Sequence, residues 1–170
     1  MVLKKGKQYQ IDMHLKHNRS KGIAVNKIPM KKASELFGIL NIVFFSPEDL
    51  NIIKNGPSER RHFLDAELCQ LDKIYLSDLS NYNKILNQRN KLLKDMVYRP
   101  ELSDTLPVWD MQLIDTGKKI IRRREQFVKE LNEIVHEIHY RISGGREELF
   151  LSYEPSVSAD LLEQELERVK

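Results

Sequence analysis

Apolar and polar positions alternate from Gln8 to Lys16. Tyr9, Ile11, Met13 and Leu15 share one face, and Gln8, Gln10, Asp12 and His14 share the other. A two-residue period predicts a half-buried strand. The turn-forming HNRSKG follows, then IAVNKIPM as a second strand ended near Pro29, so a β-hairpin is expected. Residues 31–40 predict a short helix, with Ala33, Leu36, Phe37 and Leu40 at helical spacing. The run Ile42-Val43-Phe44-Phe45 is β-branched and aromatic and predicts a buried strand. It breaks at Ser46-Pro47, because proline cannot donate to a ladder and biases the preceding residue away from helix. Glu48 and Asp49 follow at once, which sets two carboxylates at the tip of that strand. The turn Lys54-Asn55-Gly56-Pro57 leads into a helix opening at or just before Ser58, with Pro57 suited to its first turn. Arg60 and Arg61 lie early in that helix, and Phe63, Leu64 and Leu68 form its apolar stripe.

From Leu71 the period changes. Tyr75, Leu79, Tyr82, Leu86, Arg89, Leu93 and Met96 step by four and three, a heptad seam with one charged member. Tyr98-Arg99-Pro100 closes it, and a loop near residues 105–107 precedes a second seam. There Leu113, Gly117, Ile120, Arg124, Phe127, Leu131, Ile134 and Ile138 repeat the spacing. Two such helices joined by a short proline-containing link predict an antiparallel helical hairpin, with Leu86 facing Ile120 or Phe127 and Trp109 as an anchor near the tip. A globular helical subdomain burying the same faces is the alternative. Gly144-Gly145 ends the second helix. Residues 149–153 predict a strand broken by Pro155, and Ser158 or Asp160 caps a final helix that runs to the end without a terminator, as in a truncated segment. The fold class is therefore α+β: a small mixed β-sheet with a long antiparallel helical hairpin. Three regions are expected, 1–70, 71–143 and 144–170, forming one structural unit.

Composition narrows the class. The 170 residues are 41% hydrophobic and 31% charged, a high charge that suits long solvated helices. The net charge of +3 is too mild to argue for nucleic acid by itself. One cysteine, Cys69, excludes an internal disulfide, fits a reducing cytoplasm and behaves as a small core hydrophobe. No apolar run reaches membrane-span length, and Lys4-Lys5-Gly6-Lys7 is not followed by the apolar segment of a secretory signal.

Charge clusters in two places: Arg60-Arg61, and Lys118-Lys119 with Arg122-Arg123. On a helix Lys118 and Arg122 lie one turn apart, as do Lys119 and Arg123, and no acid lies between Gly117 and Arg124. Phosphate favours such a stripe, although most charge runs are solvated faces. His14, His17, His62, His136 and His139 make no metal set; His136 and His139 are three apart, but a third ligand is lacking. No glycine belongs to a Gly-x-x-x-x-Gly-Lys phosphate loop, and no late strand ends in paired acids. Ile142-Ser143-Gly144-Gly145 looks like an ABC signature but follows a helix instead of opening one, so it is read as a C-cap. Ser46, Pro47 and the two acids after them form a strong helix-start signal.

Several motifs fall in order at characteristic spacing: Phe45-Ser46-Pro47-Glu48-Asp49-Leu50; Gly56-Pro57-Ser58; Arg60-Arg61 with Phe63-Leu64-Asp65 and Gln70; Tyr82 with Lys84-Ile85-Leu86 and Gln88-Arg89-Asn90; and Ile142-Ser143 with Glu147-Glu148-Leu149. Through them nearly the whole chain resembles the middle of the RecF family, bacterial recombination-repair ATPases related to the SMC and ABC-type ATPases. In that family the phosphate loop lies before the matched region, and the signature and Walker B motifs lie after it. The resemblance implies a cytoplasmic parent that binds ATP and Mg²⁺, dimerises with ATP on gapped DNA and works with a RecR-type partner. This chain alone is then expected to hold no cofactor and to hydrolyse nothing. By position, Glu48 and Asp49 look like the family's Q-loop, whose side-chain oxygen meets Mg²⁺ or the attacking water. Capping and nucleotide sensing both stay open there. The resemblance also makes Lys118, Lys119, Arg122, Arg123, Arg60 and Arg61 candidates for DNA contact. The rival is a protein-interaction or dimerisation arm that never touches DNA.

Overall fold

A computed structural model of the chain describes residues 1–4, 6–15, 17 and 22–169. They divide into two compact units, Met1–Lys73 and Ile74–Lys170.

The first unit opens with β1 (Val2–Lys4) and β2 (Lys7–Tyr9), an antiparallel ribbon. Next come β3 (Ile11–His14), β4 (Gly22–Val25) and β5 (Ile28–Pro29), an antiparallel sheet in that order. The expected hairpin is present: Ile11 pairs with Val25 and His14 with Gly22. The turn expected over HNRSKG lies mostly outside the described residues. IAVNKIPM is not one strand but two, because Asn26 and Lys27 adopt left-handed backbone angles and reverse the chain. Ile23 and Val25 point into the core from β4. The helix expected over residues 31–40 is reduced to a 3-10 turn, Ala33–Leu36, with Gly38 at φ +80 closing it.

The strand expected at residues 42–45 does not form. Those residues have no ladder partner, and Val43 and Phe44 are 95% and 81% exposed. Their sequence suits a sheet, but no sheet edge is offered to them among the described residues. Instead the Ile42 N–H donates to Gln70 Oε1 at 3.0 Å. A 3-10 turn, Pro47–Leu50, runs into α1 (Asn51–Lys54), and α2 (Pro57–Leu71) follows with Pro57 at its start as expected. Leu68 and Cys69 are buried. Burial raises the Cys69 thiol pKa, with Asp65 and Asp72 adding to it, so this is a structural thiol rather than a reactive one.

The second unit is built on α3 (Lys73–Met96) and α4 (Leu106–Ile142), joined through a 3-10 turn at Pro100–Thr105. Three rungs show how they pair. Arg124 Nε donates to the Tyr75 hydroxyl at 3.0 Å. A Cβ placed on Gly117 would lie 3.5 Å from the Tyr82 ring. Arg89 Nε donates to Asp110 Oδ1 at 2.6 Å. Each step of one heptad up α3 is matched by one heptad down α4, so the helices are antiparallel and in register, as the two seams predict. The register differs from expectation. Leu86 falls opposite Leu113 rather than Ile120 or Phe127, because α4 begins directly after the 3-10 turn with no loop to spend.

The seam also ends sooner than its spacing implies. By the same register Lys73 stands opposite residue 126, so the last turns of α4 outrun α3. Phe127 and Val128 are buried, but Ile134 and Ile138 are exposed. There the chain itself returns along α4. A Schellman motif turns it: the Gly145 N–H donates to Tyr140 O at 2.8 Å and the Gly144 N–H to Arg141 O at 3.3 Å, both glycines at positive φ. Residues 146–155 then run extended without strand pairing, which corrects the strand expected at 149–153. Their partner is a helix, not a sheet edge. Leu151 N–H donates to Asn132 Oδ1 at 2.6 Å, and His136 stacks on Phe150 with centroids 5.0 Å apart. The short α5 (Leu162–Arg168) closes the strap, with Leu162 seated over Gly117.

Two outcomes test this packing. Gly117→Val puts branched carbons where Leu162 Cδ2 already lies 2.8 Å from a bare Cβ. It should cost about 1–3 kcal/mol by overpacking, read by urea unfolding. Arg89→Met leaves the buried Asp110 carboxylate without its cation and should cost about 3–5 kcal/mol. Adding Asp110→Leu should recover most of that loss; a double variant as unstable as the single one would contradict the pairing.

Candidate functional site

The acidic corner forms as a capped turn. Ser46 has extended angles before Pro47–Leu50, and its N–H donates to Asp49 Oδ2 at 2.6 Å, while Asp49 N–H donates back to Ser46 O at 3.0 Å. Glu48 is exposed, and its carboxyl is held below the ordinary glutamate value by the Ser46 side-chain hydrogen bond first and by a backbone hydrogen bond second. Both acids therefore act in the cap, Asp49 by accepting an otherwise unpaired N–H and Glu48 by stabilising the positive end of the turn. Either carboxylate still has oxygen lone pairs available for a hard cation.

Arg60 is used locally. Its guanidinium donates to Ile52 O in α1 at 3.2 Å and to the carbonyl of the C-cap Asn55 at 3.0 Å, and so fastens α1 to α2. Arg61 is exposed beside it.

The four cations of α4 do lie together on the helix, with Ile120 buried among them. Each, however, has a carboxylate. Lys119 meets Asp115 at 2.8 Å, one turn back. Lys118 meets Glu163 at 3.4 Å, Arg122 meets Asp160 at 3.1 Å, and Arg123 meets Glu130 at 3.6 Å. The hydrogen bond and charge of Asp115 raise the Lys119 pKa. Absence of acids between Gly117 and Arg124 did not leave the stripe bare, since Asp160 and Glu163 arrive from the returning strap. Only tertiary structure brings them there. Asp115 and Glu130 were visible at helical spacing from the start.

His136 and His139 line the strap, and His139 Nε2 lies 3.7 Å from Glu147. Among the described residues no three His, Cys, Asp or Glu side chains gather as a metal site. An open cavity of about 300 Å³ between α3 and α4 is lined by Asn81, Lys84, Ile85, Gln112, Asp115 and Thr116. Among the described residues no helix is long and apolar enough to cross a membrane.

Comparison with known proteins places this arrangement. No family model matches the chain. It is 68% identical over 166 residues, 98% of its length, to the DNA replication and repair protein RecF of Agathobacter rectalis. It is 62% identical over 167 residues to the RecF of Lachnospira eligens. This is a RecF-type sequence. The chain spans about half the length of these curated RecF relatives, 46% of each. The structure agrees: the fold matches that of the recombination mediator protein RecF with ATP, in the RecFOR pathway, at a TM-score of 0.79 and 33% identity, over 94% of this chain and 45% of that one. A second RecF structure, described with ATPrS, matches at 0.77. Since it covers 94% of this chain, the structural match includes residues of both units.

The acidic corner carries its own pH dependence. A depressed Glu48 pKa contributes stability to the turn above the ordinary glutamate value, and that contribution is lost as pH falls through the depressed one. An NMR titration should find the Glu48 carboxyl below ordinary glutamates, and Ser46→Ala should move it upward. No movement would remove Ser46 as the cause.

Proposed function

We propose that this chain is the lobe-and-arm region of a RecF-type DNA repair ATPase, which binds DNA at gaps and supports recombinational repair and replication restart. The observation that carries the reading is the 68% identity to a DNA replication and repair protein across nearly the entire chain. ATP and Mg²⁺, an ATP-dependent homodimer and a RecR-type partner belong to the whole protein in this reading. The part played here is structural and electrostatic: the acidic corner lies near the nucleotide, and the paired α3 and α4 form the arm. Glu48 and Asp49 sense bound Mg²⁺ nucleotide from their cap position.

A second reading has a specific observation behind it. All four α4 cations are paired with carboxylates, which suits an arm that binds protein, or itself, and leaves DNA alone. Exposed pairs hold with only about 0–1 kcal/mol each, so phosphate could still displace the carboxylates. Lys118→Glu with Arg122→Glu discriminates. Where the α4 stripe itself meets DNA, it weakens binding for all sequences alike and flattens the salt dependence. In the arm reading it only loosens α5.

The test of the main reading is a segment exchange. The corresponding region of the Agathobacter rectalis RecF is replaced by this chain, and ATP-dependent binding to a gapped duplex is measured. Retained binding is expected; a folded chimaera that binds ATP but not DNA would oppose it. The chain by itself, lacking a phosphate loop, should show no Mg²⁺-dependent ATP turnover above background in a steady-state assay. Turnover abolished by Glu48→Gln would overturn that part.

A further inference from the structure

Positive charge is concentrated away from α4. Before Glu35 the sequence holds nine lysines and arginines against one acid, Asp12, so this stretch is more positive than the whole chain at +3. Everything after it is net negative. Among its members Lys7, Lys27, Lys31 and Lys32 are exposed. Among the described residues none of these four has a carboxylate at ion-pair distance. The α4 cations must give up carboxylates to meet an anion; among the described residues these lysines have none to give up.

The backbone holds the lysines in a defined array. Lys27 sits at φ +67 in the two-residue β4–β5 turn, beside Asn26 at φ +51. Such turns favour glycine at the second position, and a side chain there costs about 1 kcal/mol. Asn26 pins the turn: its Oδ1 accepts the Gln10 N–H at 2.9 Å, and its own N–H donates to Gln10 O at 2.8 Å. A lysine is thus fixed at a strained tip where glycine would be more stable. Past Pro29 the Met30 N–H donates to Ile23 O at 2.8 Å, which ends the sheet and delivers Lys31 and Lys32 directly beyond it. The nearby Glu35 is engaged by the Lys32 backbone N–H at 2.9 Å.

We propose that the β4–β5 turn face, Lys27 with Lys31 and Lys32, is a contact surface for the DNA phosphate backbone. This rests on the DNA-repair reading above and gives it a location. The lysines are solvent-facing and spread along the chain, which suits a repeating polyanion rather than a single bound phosphate.

The experiment uses the chain itself and a fluorescein-labelled gapped duplex, followed by anisotropy across a salt series. Lys27→Gln, Lys31→Gln and Lys32→Gln together should weaken binding about tenfold at about 0.1 M salt and lower the salt slope by about 3. Lys118→Gln with Arg122→Gln should change affinity by no more than about twofold. Lys27→Gly separates binding from folding: it relieves the strained turn, so thermal stability should rise while affinity falls. Unchanged affinity in the triple variant, with salt-dependent binding by the original chain, overturns this surface and leaves the DNA reading standing. No binding by the original chain at low salt also overturns this surface, and the DNA reading is then judged by the ATP-dependent binding of the segment-exchange chimaera.

Discussion

One buried charge pair holds the helical unit in register. Arg89 and Asp110 are 9% and 2% exposed, and they meet at 2.6 Å in the middle of a heptad seam. An apolar seam alone tolerates a slip of seven residues, because each rung then meets another apolar rung. With the pair in place, a slip of one heptad would set Arg89 against Gly117 or residue 103. Two ions would be buried without partners, each at several kcal/mol. The pair adds little net stability over an apolar substitute, but it makes every other register expensive. Tyr82 with Gly117 and Tyr75 with Arg124 then fall into place one and two heptads away, toward the start of α3.

That register determines the rest of the unit. It makes α4 outrun α3, and the uncovered turns need another partner. The chain supplies one from its own return segment, turned by Gly144 and Gly145 and seated on Asn132 and His136. The strap ends where Asp160 and Glu163 meet Arg122 and Lys118, and where Leu162 needs the missing side chain of Gly117. Two of the conspicuous cations of α4, Lys118 and Arg122, are thereby occupied in holding the strap, and Lys119 and Arg123 pair within α4 itself. The lysines around the β4–β5 turn, dispersed in sequence and less noticeable there, remain solvent-facing.

The acidic corner shows how one local pattern serves two purposes. Ser46, Pro47 and Asp49 satisfy the backbone of a short turn, which any helix start requires. The same geometry presents Glu48 to solvent at the end of an extended apolar stretch. That stretch, residues 42–45, retains strand-forming residues with no ladder to join among the described residues.

The sequence by itself determined what depends on near neighbours. The β3–β4 hairpin, the proline-started α2, the two long helices, their antiparallel pairing and the glycine cap of α4 were legible, because periodicity and capping act within a few residues. Asp110 could have been found too, one heptad before Gly117 and opposite in charge to Arg89. Tertiary structure decided what depends on an available partner. Residues 42–45 and 149–153 carry strand chemistry, yet neither is a strand, since a strand exists only against an edge. The seam residues Ile134 and Ile138 carry core chemistry, yet both are exposed, since α3 stops short of them. The α4 cations read as a bare stripe until Asp160 and Glu163, some forty residues on, were brought beside them. A side chain's type is set locally, but its partner comes from wherever the fold returns the chain.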